Sequence, residues 1–197
     1  MTSLHDAQLA VDAGADMIGL IFYPPSPRYV TPEQAGSIVA QLPAGFPTVG
    51  VFVNESLDTI THIAQTSGVQ RVQLHGTESP ELCHQLPWPV IKAFRFTAQI
   101  QPETMSHYHV AALLVEGYHP HVYGGGGTPA DWARVATLHH YGRIILAGGL
   151  TPENVQEAIQ IVQPYAVDVC SGVEATPGTK DAAQVRAFIR AAQQTGL

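Results

Sequence analysis

One acidic residue ends a stretch of the chain that is otherwise apolar. Glu116 closes Leu-Leu-Val-Glu at 113–116, where its carboxylate is either a solvated strand terminus or a general acid that gives a proton to a substrate. Gln73, His75 and Asn54 follow apolar stretches in the same way, in Val-Gln-Leu-His-Gly and Gly-Val-Phe-Val-Asn. These three are either polar residues that fill the mouth of the fold or ligands of a small molecule. The residues alone leave both alternatives open.

A cationic residue follows a proline-rich turn near the start of the chain. Arg28 lies in Tyr-Pro-Pro-Ser-Pro-Arg-Tyr at 23–29, where the prolines reduce the conformational freedom of the loop. A guanidinium presented on a stiff loop is a planar fork that suits a carboxylate. The alternative is an ordinary surface arginine.

Two glycine-containing turns follow successive apolar stretches late in the chain. Gly148 and Gly149 end Ile-Leu-Ala-Gly-Gly, and Ser171 and Gly172 end Asp-Val-Cys-Ser-Gly. Glycine lets backbone N–H groups approach an anion without a Cβ atom in the way. Either turn alone is equally well an ordinary tight turn, but the consecutive pair favours a phosphate site.

A third glycine-rich stretch, Tyr-Gly-Gly-Gly-Gly-Thr at 123–128, follows Glu116. It is either a flexible linker or a loop that folds over a bound ligand. Its position after the acidic residue favours the loop, and we assign Gly125 and Gly126 to the phosphate site.

Short apolar runs alternate with amphipathic helical stretches along the whole chain. The predicted strands are Met17–Phe22, Thr48–Val53, Arg71–Leu74, Val90–Phe94, Ala111–Val115, Ile144–Ala147 and Ala166–Cys170. The predicted helices are Pro32–Gln41, Ser56–Thr66, Pro80–Gln85, a weak Pro102–His107, Pro129–His139, Pro152–Val162 and Ala182–Ala192. Strands without polar alternation indicate a parallel sheet covered by helices, and the absence of a linker predicts one α/β domain over residues 1–197.

The number of βα units favours a (β/α)8 TIM barrel. Seven strands are each followed by a helix, whereas the first helix, capped by Thr2 or Ser3 and ending at Gly14, has no strand before it. An eightfold barrel needs eight strands, so we expect the first β-strand to be missing from this sequence and to lie upstream of Met1. The alternative is a doubly wound sheet of seven strands, although no G-x-G-x-x-G follows an early strand.

Composition excludes several classes of function. The formal net charge of −7 and the 13% of charged residues argue against a nucleic-acid groove and against an anionic membrane surface as partners. No apolar run is long enough to span a bilayer, and the two cysteines form no disulfide framework, so we expect a cytoplasmic protein. The histidine pairs at 107 and 109, 119 and 121, and 139 and 140 lack the spacing of a zinc site, and we predict no metal.

These segments together resemble the phosphoribosylanthranilate isomerase family of tryptophan biosynthesis. The motifs that carry the resemblance are AGADMIGLIFYPPSPRYVTPEQA, VGVFVNES, VQLHG, YGGGGTPADW, AGGLTPENV and VDVCSGVEATPGTKD, and they cover the chain in order. The resemblance implies a (β/α)8 enzyme that converts a phosphosugar substrate by an Amadori rearrangement. It also implies that no cofactor is needed, since an acid and a base that move protons suffice.

The resemblance assigns roles to the residues singled out above. Arg28 matches the arginine that meets the anthranilate carboxylate, and Asp168 matches an aspartate that faces the substrate. The phosphate turns of the family match Gly148, Gly149, Ser171 and Gly172. The family's general acid is an aspartate, and the matching residue here is Glu116, although the alignment also allows Val115 at that position.

The family's general base is a cysteine in a motif of the form Lys-Ile-Cys-Gly-x-Thr, and no such motif is present in this sequence. Met1-Thr2 matches the end of that motif, which leads us to expect that the natural chain starts further upstream. Cys83 lies in a predicted helix as a packing residue, and Cys170 is a weak stand-in for the base.

Two alternatives to this isomerase remain at this point: a non-catalytic phosphosugar-binding barrel, and an isomerase of a related phosphoribosyl aminoaldose, against which Arg28 speaks. The resemblance leaves open whether the protein is a monomer or a homodimer.

Overall fold

Seven parallel strands form one sheet in chain order. A computed structural model describes residues 1–96, 101–117 and 131–196 of the protein. The strands are β1 (Ile18–Ile21), β2 (Thr48–Phe52), β3 (Arg71–Leu74), β4 (Val90–Phe96), β5 (Ala112–Gly117), β6 (Ile144–Leu146) and β7 (Ala166–Val167). Each strand pairs in parallel with the next one along the chain. This sequential order is that of a barrel and lacks the reversal of a doubly wound sheet, so the predicted barrel-type fold is confirmed and the doubly wound alternative is wrong.

Helices cover the outer face of the sheet. They are α1 (Leu4–Ala13), α2 (Pro32–Val39), α3 (Leu57–Ser67), α4 (Pro80–Gln85), α5 (Trp132–Val135), α6 (Val155–Val162) and α7 (Ala182–Gln193). Of the two candidate caps of α1, Ser3 is the correct one, because its side chain accepts a hydrogen bond from the Asp6 N–H. None of the helices in the described residues is long and apolar enough to cross a membrane.

Several predicted helices differ from the observed ones in length or in type. The prediction over Pro129–His139 becomes α5 followed by a 3-10 helix at His139–Tyr141, and residues 129 and 130 lie outside the described part. Here the Thr137 hydroxyl bonds the Arg134 carbonyl and the backbone turns to i→i+3 bonds. The weak Pro102–His107 helix is a 3-10 helix, and α6 starts three residues late because the Asn154 side chain holds the preceding turn instead.

Alternate residues of each strand enter different cores. One cluster lies inside the arc of the sheet and comprises Val49, Ile91, Ala93, Ala112, Leu114, Ile145 and Ala147. Two larger clusters lie between the sheet and the helices, and they include Leu20, Val72 and Leu74 on one side and Leu113, Val115 and Leu146 on the other. Burial on both faces explains why the strands are apolar throughout. The polar residues of the inner face lie beyond the inner cluster, at the carboxyl ends of the strands.

The segment after β7 contains a hairpin that was not predicted. β7 is shorter than the expected Ala166–Cys170, because Cys170 leads directly into a 3-10 helix at Ser171–Val173. The chain then forms β8 (Glu174–Thr176) and β9 (Thr179–Lys180), which pair in antiparallel fashion. The Pro-Gly dipeptide at 177–178, between threonines at 176 and 179, is the sequence signal for this hairpin.

A buried ion pair ties the segments that follow β2 and β3 to β4. The Lys92 Nζ atom on β4 donates to Glu78 Oε2 at 2.9 Å, and both side chains are at most 2% exposed. The same ammonium donates to the carbonyls of Leu74, Gly76 and Ala93. The Glu78 carboxylate in turn accepts from the backbone N–H groups of Asn54 and Gly76. Asn54, predicted as a residue of the mouth, therefore takes part in holding the loop that follows β3.

Removal of the Lys92 ammonium should destabilise the protein strongly. Lys92→Met leaves the Glu78 carboxylate buried without its cation, which costs about 3–5 kcal/mol of the free energy of unfolding. Urea unfolding followed by circular dichroism measures this loss. The control Arg186→Met removes an exposed cation from α7 and should change the free energy of unfolding by less than about 0.5 kcal/mol. Equal effects of the two substitutions would contradict the prediction.

Candidate active site

The predicted site residues that the structure describes line one cavity. It has a volume of about 350 Å³ and runs along β1 and β7 to the carboxyl ends of the strands. Its lining includes Arg28, Gln73, His75, Glu116, Gly148, Gly149, Asp168, Cys170, Ser171 and Gly172. Gly125 and Gly126 lie outside the described residues. Residues that are up to 144 positions apart in the chain are thus brought to one face of the sheet.

A chain of hydrogen bonds joins β3 to β5 across the cavity. Gln73 Nε2 lies 2.9 Å from His75 Nδ1, and His75 Nε2 lies 2.8 Å from Glu116 Oε1. With the amide nitrogen directed at Nδ1, that ring nitrogen accepts, so the Nε2–H donates to the Glu116 carboxylate. All three side chains are buried, at 5–7% exposure. His75 therefore fixes the direction in which Glu116 presents its carboxyl group.

The alternation along β5 shows which of the two candidate residues, Val115 or Glu116, faces the cavity. Leu114 and Glu116 face the cavity, whereas Leu113 and Val115 pack in the outer cluster beneath the helices. Val115, the other residue that the alignment allowed, is therefore on the wrong face of the strand. The fully buried Val115 has no access to a ligand in the cavity.

Two titratable groups enter the cavity from the end of β7. Asp168 directly follows the strand, and Cys170 points to the same side two residues later. Asp168 is exposed to solvent within the cavity, yet desolvation by the cavity walls raises the pKa of its carboxyl; the neighbouring Glu116 acts in the same direction, while His75 and Lys180 oppose it. Burial likewise raises the pKa of the Cys170 thiol, against the effect of Lys180 and Arg28.

Cys83 is remote from this chemistry. It is buried on α4 in an outer cluster, where desolvation raises its pKa to about 11. The expected packing role in a helix agrees with this location. In the described residues no group of three or more His, Cys, Asp or Glu side chains is arranged to hold a metal ion.

The two glycine turns contact each other at the end of the sheet. Gly148 and Gly149 follow β6 with φ angles of +82° and +65°, a conformation that favours glycine. A Cβ atom on Gly172 would lie 1.9 Å from the Leu150 carbonyl oxygen, so only glycine fits there. This close approach joins the turn after β6 to the turn after β7. Residues of both turns therefore lie together in the lining of the cavity.

Arg28 is held by a residue that the sequence reasoning did not identify. Its Nε and Nη2 atoms donate to the Glu174 carboxylate at 2.8 and 2.7 Å. The Lys180 Nζ atom lies 3.4 Å from the same carboxylate and donates to the Cys170 carbonyl at 2.8 Å. Burial opposes the charge of Glu174, but the hydrogen bond from Arg28 and the charge of Lys180 outweigh it and lower the pKa of that carboxyl. The hydrogen bond to Glu174 raises the pKa of Arg28.

The sequence carried a faint signal for Glu174 and Lys180. Both belong to the hairpin around Pro-Gly, which places them side by side in register. The buried position of Lys92 was not predicted either, because one lysine inside Val-Ile-Lys-Ala-Phe is typical of an exposed strand residue. Recognising either set requires knowledge of which distant segments they meet.

A family model and the curated relatives of this chain indicate the same family. The family model described as N-(5'phosphoribosyl)anthranilate (PRA) isomerase matches residues 1–191. The N-(5'-phosphoribosyl)anthranilate isomerases of Geobacter sulfurreducens and Geobacter metallireducens are 50% and 49% identical to this chain over 193 residues. Each alignment covers 98% of this chain, with 95% and 96% of the respective relative.

Solved structures agree with the sequence relatives. Phosphoribosyl anthranilate isomerase from Thermotoga maritima superposes with a TM-score of 0.91 and 42% identity, over 100% of this chain and 96% of that one. A phosphoribosyl anthranilate isomerase in complex with reduced 1-(o-carboxyphenylamino)-1-deoxyribulose 5-phosphate superposes with a TM-score of 0.88 and 40% identity, with the same coverage. The fold, the motifs and the alignments over nearly the full length lead to one conclusion: this chain belongs to the N-(5'-phosphoribosyl)anthranilate isomerase family.

Proposed function

We propose that the protein isomerises N-(5'-phosphoribosyl)anthranilate to 1-(2-carboxyphenylamino)-1-deoxyribulose 5-phosphate, a step of tryptophan biosynthesis. The observation that carries this proposal is the family match over residues 1–191. In the Amadori rearrangement the ribosylamine ring opens, a proton leaves C2 of the sugar, and the enolamine tautomerises to the ketone. The chemistry consists of proton transfers, so the residues that matter are those that bind the substrate and those that move protons.

The cavity provides separate positions for the two anionic ends of this substrate. The glycine turns after β6 and β7 suit the phosphate, because they bring backbone N–H groups to one end of the cavity. Arg28 suits the anthranilate carboxylate, since a guanidinium pairs with a carboxylate through parallel N–H bonds. With both ends held, the sugar lies over the inner face of the sheet, where Glu116 and Asp168 are directed. Such positioning contributes a large part of the rate of a unimolecular rearrangement.

Glu116 is the general acid of this proposal. Its carboxyl group gives a proton to the ring oxygen as the C1–O bond breaks, and the His75 Nε2 atom holds it at 2.8 Å in the required direction. Gln73 in turn orients His75 through Nδ1. Asp168, which enters the cavity from the neighbouring end of β7, faces the sugar hydroxyl groups.

Cys170 is a poor proton acceptor in this site. A thiol accepts a proton only as the thiolate, and burial raises the pKa of Cys170, which leaves little thiolate near neutral pH. Its carbonyl oxygen, rather than its sulfur, makes the short contact to Lys180. We therefore infer a packing role for Cys170.

The isomerase is favoured over both alternatives. A non-catalytic phosphosugar-binding barrel explains the glycine turns but not the ordered Gln73, His75 and Glu116 chain, because binding of a phosphosugar needs no oriented acid. The substrate of a related aminoaldose isomerase has no aryl carboxylate, so it offers no carboxylate for the partly buried guanidinium of Arg28 to bind.

We also infer that the protein works in the cytoplasm on a small phosphosugar, as a monomer or a homodimer. The net charge of −7 argues against nucleic acid as a partner. One of the solved structures is of monomers generated from the dimeric phosphoribosylanthranilate isomerase of Thermotoga maritima. Sedimentation equilibrium of the purified protein distinguishes the two states.

Substitution of Glu116 should slow turnover without preventing folding. Glu116→Gln keeps the volume and the contact to His75 but removes the proton, and we expect kcat to fall about 10²- to 10⁴-fold. Glu116→Asp keeps the proton but has a shorter side chain, so its kcat should lie between those of the parent protein and of Glu116→Gln. The assay follows product formation from N-(5'-phosphoribosyl)anthranilate. Glu157→Gln, an exposed change on α6, is the control, and equal kcat values for both glutamine variants would overturn the assignment.

Replacement of the cavity thiol should leave turnover nearly unchanged. Serine is close to cysteine in size but is a far weaker base, so Cys170→Ser should retain kcat within about twofold if the thiol only packs. A loss comparable to that of Glu116→Gln would show that Cys170 does serve as the base. Both variants are compared in the same assay over a range of pH.

Asp168 should reduce stability at neutral pH. Desolvation by the cavity walls raises its pKa above the ordinary value of 3.8, although Asp168 is exposed to solvent in the cavity. Folding therefore favours the protonated form, and this small contribution is lost as the pH rises through the folded pKa. Asp168→Asn stays neutral, and its Tm should therefore exceed that of the parent near pH 8 and approach it near pH 4. The exposed Asp58→Asn on α3 should show no such trend. A gain in Tm that is independent of pH would contradict the prediction.

A further inference from the structure

The ion pair of Arg28 with Glu174 has a defined geometry. The Nε atom donates to Oε1 at 2.8 Å and to Oε2 at 3.1 Å, and Nη2 donates to Oε2 at 2.7 Å. The carboxylate thus meets the side edge of the guanidinium. The arginine side chain is 13% exposed and the glutamate 5%. The Nη1 atom lies outside this ion pair, and Arg28 is among the residues that line the cavity.

Glu174 is itself held from the opposite side. The Lys180 Nζ atom lies 3.4 Å from Glu174 Oε1, and the Lys180 backbone N–H donates to the buried Asp6 carboxylate at 3.2 Å. Glu174 therefore stands on a hairpin that is anchored to α1. Two cations share one carboxylate here, which leaves a net charge of +1 at the edge of the cavity. The trio can therefore attract an anion although one of its members is negative.

Two opposing effects of Glu174 on a carboxylate ligand need to be weighed. Its charge repels the ligand, but Lys180 compensates for this charge at close range. Its hydrogen bonds also order a long side chain before the ligand arrives, and without them the binding reaction itself must immobilise the arginine. Because the pair is nearly buried and makes more than one short contact, we expect the ordering to prevail.

We propose that Glu174 is a positioning residue that holds Arg28 for the carboxylate of the aryl group and thereby sets the preference for a carboxylated substrate. This inference rests on the proposed function, in which Arg28 binds that carboxylate. Lys180 supports the same arrangement through the contact of its Nζ atom with Glu174 Oε1. None of these residues is required to move a proton.

Two ligands that differ only in the carboxylate separate positioning from a general structural effect. The first is reduced 1-(o-carboxyphenylamino)-1-deoxyribulose 5-phosphate, and the second is the same molecule without the ring carboxylate. Titration calorimetry gives Kd for both, and the measurement needs no turnover. Glu174→Gln should raise Kd for the first ligand about tenfold or more and leave Kd for the second within about twofold. The matched control Glu157→Gln should change neither value.

The results distinguish a failure of the positioning role of Glu174 from a failure of the role of Arg28 in the proposed function. An equal loss for both ligands with Glu174→Gln, no loss, or tighter binding of the carboxylated ligand would each overturn the positioning role. If Arg28→Met affects both ligands equally, the assignment of Arg28 in the proposed function fails. If Arg28→Met is selective and Glu174→Gln is not, only the present inference fails. Glu174→Asp retains the charge at a shorter reach and should give a selective loss between those of the parent and the glutamine variant, so it also serves if the glutamine variant does not fold.

Discussion

Alternation of side chains along parallel strands, kept in register from β1 to β7, is the constraint on which the site depends. Every second residue of a strand faces the cavity, so one strand supplies Gln73 and His75 while another supplies Leu114 and Glu116. A slip by one residue in β5 would exchange Glu116 for Val115 and remove the carboxyl group from the cavity. The apolar packing on both faces of the sheet prevents such a slip, because it would bring a carboxylate into the outer core.

Buried charges hold the loops that extend from this sheet. Lys92 and Glu78 fasten the loop after β3, and with it the segment that carries His75. Arg28 and Glu174 join the loop after β1 to the hairpin after β7. Such pairs contribute little net stability compared with apolar contacts of the same volume, yet the loss of one partner is costly. We infer that these ion pairs serve to fix the positions of the loops rather than to stabilise the fold.

Much of the fold was open to prediction from the sequence, and less of the site. All seven strands were located, because apolar β-branched runs are a local signal. The boundaries of α5, α6 and β7 were wrong where side chains such as Asn154 and Thr137 bond the backbone in competition with the helix. Glu174 was missed, because its importance comes only from Arg28, 146 residues away in the chain.

The sequence by itself determined the parallel βα pattern, the glycine turns and the chemical types at the ends of the strands, because periodicity and turn chemistry act over a few residues. Tertiary structure alone decided that His75 meets Glu116, that Glu116 rather than Val115 faces the cavity, and that Glu174 holds Arg28. These outcomes depend on strand pairing between distant segments. Hydrogen bonds at 2.7–2.9 Å exist only once that pairing has placed the partners together.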